Sequence, residues 1–120
     1  MRGATEAGEQ PDFESALRLL NGNRALLHSV MARFTTDAPV EIAGLADAIA
    51  RGRAAEVRER AHRFKGSLLY TGYPPAADAA AALQRLGDSG DLAGAPAVHA
   101  ALAAYVARIC DAWGDRGTDR

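Results

Sequence analysis

The sequence holds a single cysteine, Cys110, in 120 residues, so an intramolecular disulfide is excluded. Its three histidines, His28, His62 and His99, are dispersed, and with one cysteine they make no zinc-ligand spacing. No apolar run approaches the roughly 18 residues that a membrane-spanning helix needs. Residues 1–10 carry Glu6 and Glu9 and no apolar centre, which does not fit a secretory leader. An excess of one charge is also missing. Lys and Arg number 14 against 15 Asp and Glu, for a net charge of −1. That balance removes the basic surplus expected of a nucleic-acid binder or a protein held on an acidic membrane. These absences together set the expectation of a cytoplasmic chain.

Strand patterning is scarce. Val, Ile and Thr are scattered and nowhere alternate long enough to form a sheet, and there is no internal repeat. Signatures of an autonomous enzyme are missing too. No carboxylate dyad, nucleophile–base pair or Walker-type phosphate loop can be read from the chain.

Helical periodicity is abundant, and 48% hydrophobic residues suffice for one modest core. Residues 1–11 read as a flexible lead. Phe13, Leu17 and Leu20 predict a short helix over 12–20, stopped at Gly22, with Asn23 capping the next. The second helix is predicted over 24–36 on Leu27, Val30 and Phe34, widened by Leu26 and Met31. Thr35-Thr36-Asp37-Ala38-Pro39 reads as a break. Asp37 is expected to cap a third helix, with Pro39 in its first turn and Ile42, Leu45 and Ile49 on its buried face. Gly52 closes that helix.

A fourth helix is predicted over 53–70, with Val57, Ala61, Phe64 and Leu68 as the core stripe. Gly72 and Pro74-Pro75 separate it from an alanine-rich helix at 74–87, where Ala76, Ala80 and Leu83 face inward. Gly87-Asp88-Ser89-Gly90 reads as a turn. The last helix is expected from near Asp91 to Trp113, with Val98, Leu102, Tyr105 and Ile109 inside, and 114–120 as a flexible tail. The result is an all-α chain: an antiparallel up-down four-helix bundle with one or two short accessory N-terminal helices. A monomer is expected, because no apolar face is left over once the bundle closes.

The stretch Ala61-His62-Arg63-Phe64-Lys65-Gly66-Ser67 carries the chemistry. Lys65 and Gly66 lie three and four residues after His62, so all three share one side of a helix. Histidine offers a neutral nitrogen nucleophile near physiological pH. Lysine offers a charge for an anion. Glycine costs about 0.8–1 kcal/mol in a helix interior, which points to a close approach beside the histidine or to helix–helix packing. His62 is rotated about 100° from the core position Ala61, given ~3.6 residues per turn, so its ring sits at the edge of the buried face. Arg58, Arg60 and Arg63 form either a phosphate-attracting rim or a solvated face paired with Glu56 and Glu59. His28 and His99 lack Lys-Gly companions and read as packing or surface residues, and Tyr70, Tyr73, Tyr105 and Trp113 as core or bundle-end residues.

Ala61-His62-x-Phe64-Lys65-Gly66-Ser67, followed by Gly72, resembles the signature of histidine-containing phosphotransfer (HPt) domains. The resemblance extends over about residues 12–113. It implies a four-helix bundle that relays a phosphoryl group between receiver-domain aspartates without kinase activity of its own. By that likeness His62 is the phosphoacceptor, Lys65 steadies the phosphoryl group, and Gly66 leaves room for the partner. Arg58, Arg63 and Leu69 are the further candidates for partner access and docking, Leu69 together with apolar residues of the second helix. The chain departs from the pattern at Arg53, where an acidic residue is frequent, at the bulky Leu68-Leu69-Tyr70, and at Leu83-Gln84 in place of Leu-Glu.

The expected function is a phosphoryl carrier of a multistep two-component phosphorelay. Its expected partners are response-regulator receiver domains and a hybrid sensor histidine kinase. No metal ligands and no cofactor are expected in this chain; magnesium is expected from the receiver. The alternative is a helical adaptor that binds receiver or kinase domains without being phosphorylated.

Overall fold

The computed structural model describes residues 10–118, and the expected lead over 1–11 lies outside them but for its last two residues. All regular structure among the described residues is helical. Helix α1 covers Phe13–Leu19, α2 Arg24–Ala50, α3 Ala54–Leu68, α4 Pro74–Ser89 and α5 Ala95–Thr118, with a 3₁₀ turn at Leu69–Thr71. Helices α2 to α5 form the bundle. Each packs on the next, and α5 returns against α2 to close the ring. The short links between them make neighbours antiparallel.

Local chemistry explains most boundaries. Asp12 caps α1 through Ser15 N, and Asn23 caps α2 through Leu26 N at 3.0 Å. Gly22, Gly52, Gly72 and Gly90 end helices in the left-handed region. At Gly72, φ is +69°, and a Cβ would also collide with the Asp12 carbonyl. The Asp12 N–H donates to the Gly72 carbonyl at 2.7 Å, which ties the start of α1 to the end of the α3 segment. Pro74 and Pro75 occupy the first turn of α4, where their missing N–H groups cost nothing.

The core stripe of α3 is as its spacing requires: Val57, Ala61, Phe64 and Leu68 are all buried. Phe64 stacks on Phe34 of α2, ring centroids 6.0 Å apart. Leu83 of α4 and Leu102 and Ile109 of α5 complete the interior. Phe13 of α1 meets Trp113 of α5 edge-on, as does His28 of α2.

Three expectations are corrected. The predicted break at 35–39 does not occur: α2 runs unbroken over 27 residues with Pro39 inside it. An interior proline removes a backbone hydrogen bond and costs roughly 3 kcal/mol. Here tertiary packing outweighs that cost. Leu27, Met31, Phe34, Ala38, Leu45 and Ala48 are buried on both sides of Pro39, whose own ring faces solvent. Asp37 caps nothing and instead pairs with Arg33 one turn back, at 3.1 Å. Second, Gly87 belongs to α4 rather than to a turn, and is buried. Third, α5 continues past Trp113 to Thr118, where Arg116 lies over the rings of Phe13 and Trp113 and holds the last turns in place.

Candidate functional site

Helix α3 places its functional side chains by period alone. Ala61, Phe64 and Leu68 face the core, so His62, Arg63 and Gly66 are left on the exposed side. Lys65 is half-buried. A surface depression lies on each side of this stripe. On the α4 side, Arg58, Glu59, His62, Arg63 and Gln84 wall a recess of about 390 Å³. On the α2 side runs a larger groove of about 540 Å³. Phe34, Ala38 and Phe64 line it, with Arg33, Asp37, Glu41, Arg63, Gly66, Ser67 and Tyr70 around them. Arg63 borders both and forms the ridge between them.

The His62 ring is held from across the helix interface. Its Nδ1 lies 3.4 Å from Oε1 of Gln84 on α4, a long contact. An amide oxygen only accepts, so the arrangement is attractive when Nδ1 carries the proton. In that tautomer Nε2 keeps its lone pair and has the electronic character of a nucleophile. Gln84 was not singled out from sequence as a site residue. It lies 22 positions from His62, and the departure Leu83-Gln84 from the family pattern was its only trace.

Gly66 resolves the two explanations offered for it. A Cβ at this position would meet nothing within 4 Å, so no neighbouring helix of this chain requires the glycine. Its empty side opens into the α2–α3 groove. Gly87 is the opposite case. A Cβ there would lie 2.6 Å from Arg58 N, 2.7 Å from Ala54 O and 2.9 Å from Arg58 Cα, so this glycine brings α4 onto the backbone of α3. That approach puts Gln84, one turn earlier, within reach of His62.

The arginines divide. Arg60 leaves the expected rim and is committed to the α2–α3 interface. Its Nε donates to Glu56 at 2.8 Å, and Glu41 lies 4.0 Å from its Nη1. The hydrogen bond that Arg60 donates to Glu56 pushes the Arg60 pKa up, against a lesser effect of desolvation. Gly44 leaves the space its guanidinium fills. Arg58 and Arg63 remain at the site, and Arg58 makes only a loose contact with Glu59, 3.9 Å between partly exposed groups.

Leu69 is exposed, at 54% of its surface, but it does not join the apolar residues of α2 as expected. It opens instead into a separate recess at the bundle end with Leu19, Leu68, Tyr73 and Pro74. Helical period is the cause: at about 100° per residue Tyr70 falls within about 40° of Gly66, on the groove side, whereas Leu69 falls about 60° from Gly66 on the side away from the groove. Tyr70 is accordingly 40% exposed at the groove and not a core residue.

His99 plays a structural part, its Nε2–H donating to the Ile42 carbonyl at 2.9 Å and joining α5 to α2. Among the described residues, no three His, Cys, Asp or Glu side chains converge as metal ligands, and no helix is long and apolar enough to cross a membrane.

A closed four-helix bundle that presents one imidazole on an open helix face, followed by Lys and Gly one turn on, defines a class of protein rather than a generic helical fold. The Hpt domain family model matches residues 29–112, and the chain belongs to that family. Hpt domains are phosphocarriers of histidine phosphotransfer relays, not kinases. No curated protein and no solved structure gives a match.

Proposed function

We propose that His62 is the phosphoacceptor of this Hpt domain, and that the chain accepts a phosphoryl group from one receiver-domain aspartate and passes it to another. The observation that carries the reading is the His62 ring itself, exposed on the bundle face with Nδ1 turned to Gln84. Nε2 attacks phosphorus in line as the bond from phosphorus to the aspartyl oxygen breaks, and that electron pair leaves on the carboxylate. The Nδ1 proton stays on the ring against Gln84 Oε1, so no separate base is needed. The reverse displacement discharges His62 to the next aspartate.

Lys65, one turn along, contributes a charge-assisted contact to the phosphoryl oxygens. Gly66 admits the partner's surface beside the ring. The α2–α3 groove, with Phe34, Phe64 and Tyr70, supplies the adjoining docking surface. Among the described residues no cluster of metal-ligating side chains lies at His62, and magnesium for charge neutralisation is expected from the receiver. A hybrid sensor kinase is the expected source of phosphoryl groups.

The test is incubation with a phosphorylated receiver or with phosphoramidate, followed by a search for acid-labile, alkali-stable label. Wild-type chain is expected to take up one phosphoryl group and His62→Gln none. Absence of label from a donor proved active would favour the adaptor reading. Label persisting in His62→Gln would place the acceptor elsewhere.

A further inference from the structure

The recess beside His62 is not where Lys65 sits. Its wall is Arg58, Glu59, His62, Arg63 and Gln84. Side chains on an α-helix lean toward its N-terminus and cover the preceding turn. The His62 ring therefore lies over the turn that bears Arg58 and Glu59, beside a space bordered by two guanidinium groups and one carboxylate.

We infer that Arg58, together with Arg63, binds the phosphoryl group once it is on His62, and that Glu59 competes with it for Arg58. The inference rests on His62 being the acceptor. Arg58 stands at i−4 from His62, on the same helix face. Its contact with Glu59 is loose and partly exposed, so little is lost when it turns away. A dianionic phosphoryl group is a stronger partner than a carboxylate, and a guanidinium meets its oxygens with paired N–H donors that an ammonium lacks. Gln84 holds the opposite edge of the ring, which fixes the direction in which the phosphoryl group projects. Arg60 cannot substitute, because Glu56 and Glu41 already engage it.

The two arginines thus serve the loaded state, whereas Lys65 serves the transfer. A guanidinium on the phosphoryl oxygens stabilises the charge concentrated there before the P–N bond loosens, and so slows spontaneous loss to water. In that loss the P–N bond breaks, water adds to phosphorus, and inorganic phosphate departs.

The experiment loads the full chain with phosphoramidate, whose own P–N bond breaks with departure of ammonia. After the donor is removed, loss of label is followed, and the arginine Nε–Hε signals are recorded by ¹⁵N NMR before and after loading. Arg58→Ala is expected to lose label about three- to tenfold faster than wild type. Glu59→Gln is expected to lose it more slowly. Arg18→Ala, an exposed charge on α1, should match wild type. The Arg58 Nε–Hε signal should move on loading. Should Arg58→Ala fold poorly, Arg58→Lys, which keeps the charge but not the fork, is expected to fall between.

Equal decay in wild type, Arg58→Ala and Glu59→Gln, with the Arg58 signal unmoved, would overturn this inference and leave His62 as the acceptor. Failure of wild type to load at all, with free imidazole loading in parallel, would overturn both.

Discussion

Helix α3 has two flanks, and they are built on opposite principles. Toward α4 the approach is closed to the backbone. Gly87 leaves no room for even one methyl group, and Arg58 and Ala54 press against it. Toward α2 the helices are held apart by the stacked rings of Phe34 and Phe64, and beyond them the groove stands open with nothing opposite Gly66. One glycine serves the packing of this chain, and the other is required by no neighbour within it. The histidine lies between, anchored from the closed flank by Gln84 and reachable from outside. A residue type on its own therefore does not reveal its purpose; the space around its missing Cβ does.

Substitutions can break or sharpen this contrast. The largest effect is expected from Phe64→Ala. It removes a ring that is 3% exposed and keeps α2 and α3 apart, so stability should fall by about 3–5 kcal/mol in urea unfolding. A much smaller loss would mean that the groove floor is soft and the open flank is not held open by packing. Next comes Gly87→Ala, expected to destabilise by about 1–3 kcal/mol through overpacking against backbone that cannot move aside. It should also move the His62 imidazole signals, since Gln84 rides on the same helix. Smallest in stability is Gly66→Ala, which meets no neighbour and gains helix propensity. It should stabilise the chain by about 0.5–1 kcal/mol and, on the carrier reading, still slow phosphoryl transfer from a receiver. The same substitution would thus carry opposite signs at two glycines on the two flanks. Equal signs in thermal melts would erase the distinction.

Much of this was legible in the sequence because it depends on period. The stripe Val57, Ala61, Phe64 and Leu68 is buried, Asn23 caps α2, and His62 falls on the exposed edge as its 100° rotation from Ala61 requires. What was not legible depends on where helices meet. Pro39 is a breaker by local rules, yet α2 passes through it because the buried face on either side holds the helix together. Gln84 faces His62 only because Gly87 sets how closely α4 lies on α3. Arg60 differs from Arg58 and Arg63 only through the acids that α2 and its own helix present to it.

The link between Asp12 and Gly72 bears on how this chain should be handled at the bench. The matched stretch starts at residue 29, but the packed unit does not. Phe13, Ala16, Leu17 and Leu27 are all buried upstream of that border, and the Gly72 carbonyl finds its donor there. A polypeptide cut to the recognised borders would keep every residue of the signature. It would also lose the clasp that closes the end of the bundle nearest the signature, and would be purified as a weakened molecule. What identifies a domain and what holds it shut are here two different lengths of chain.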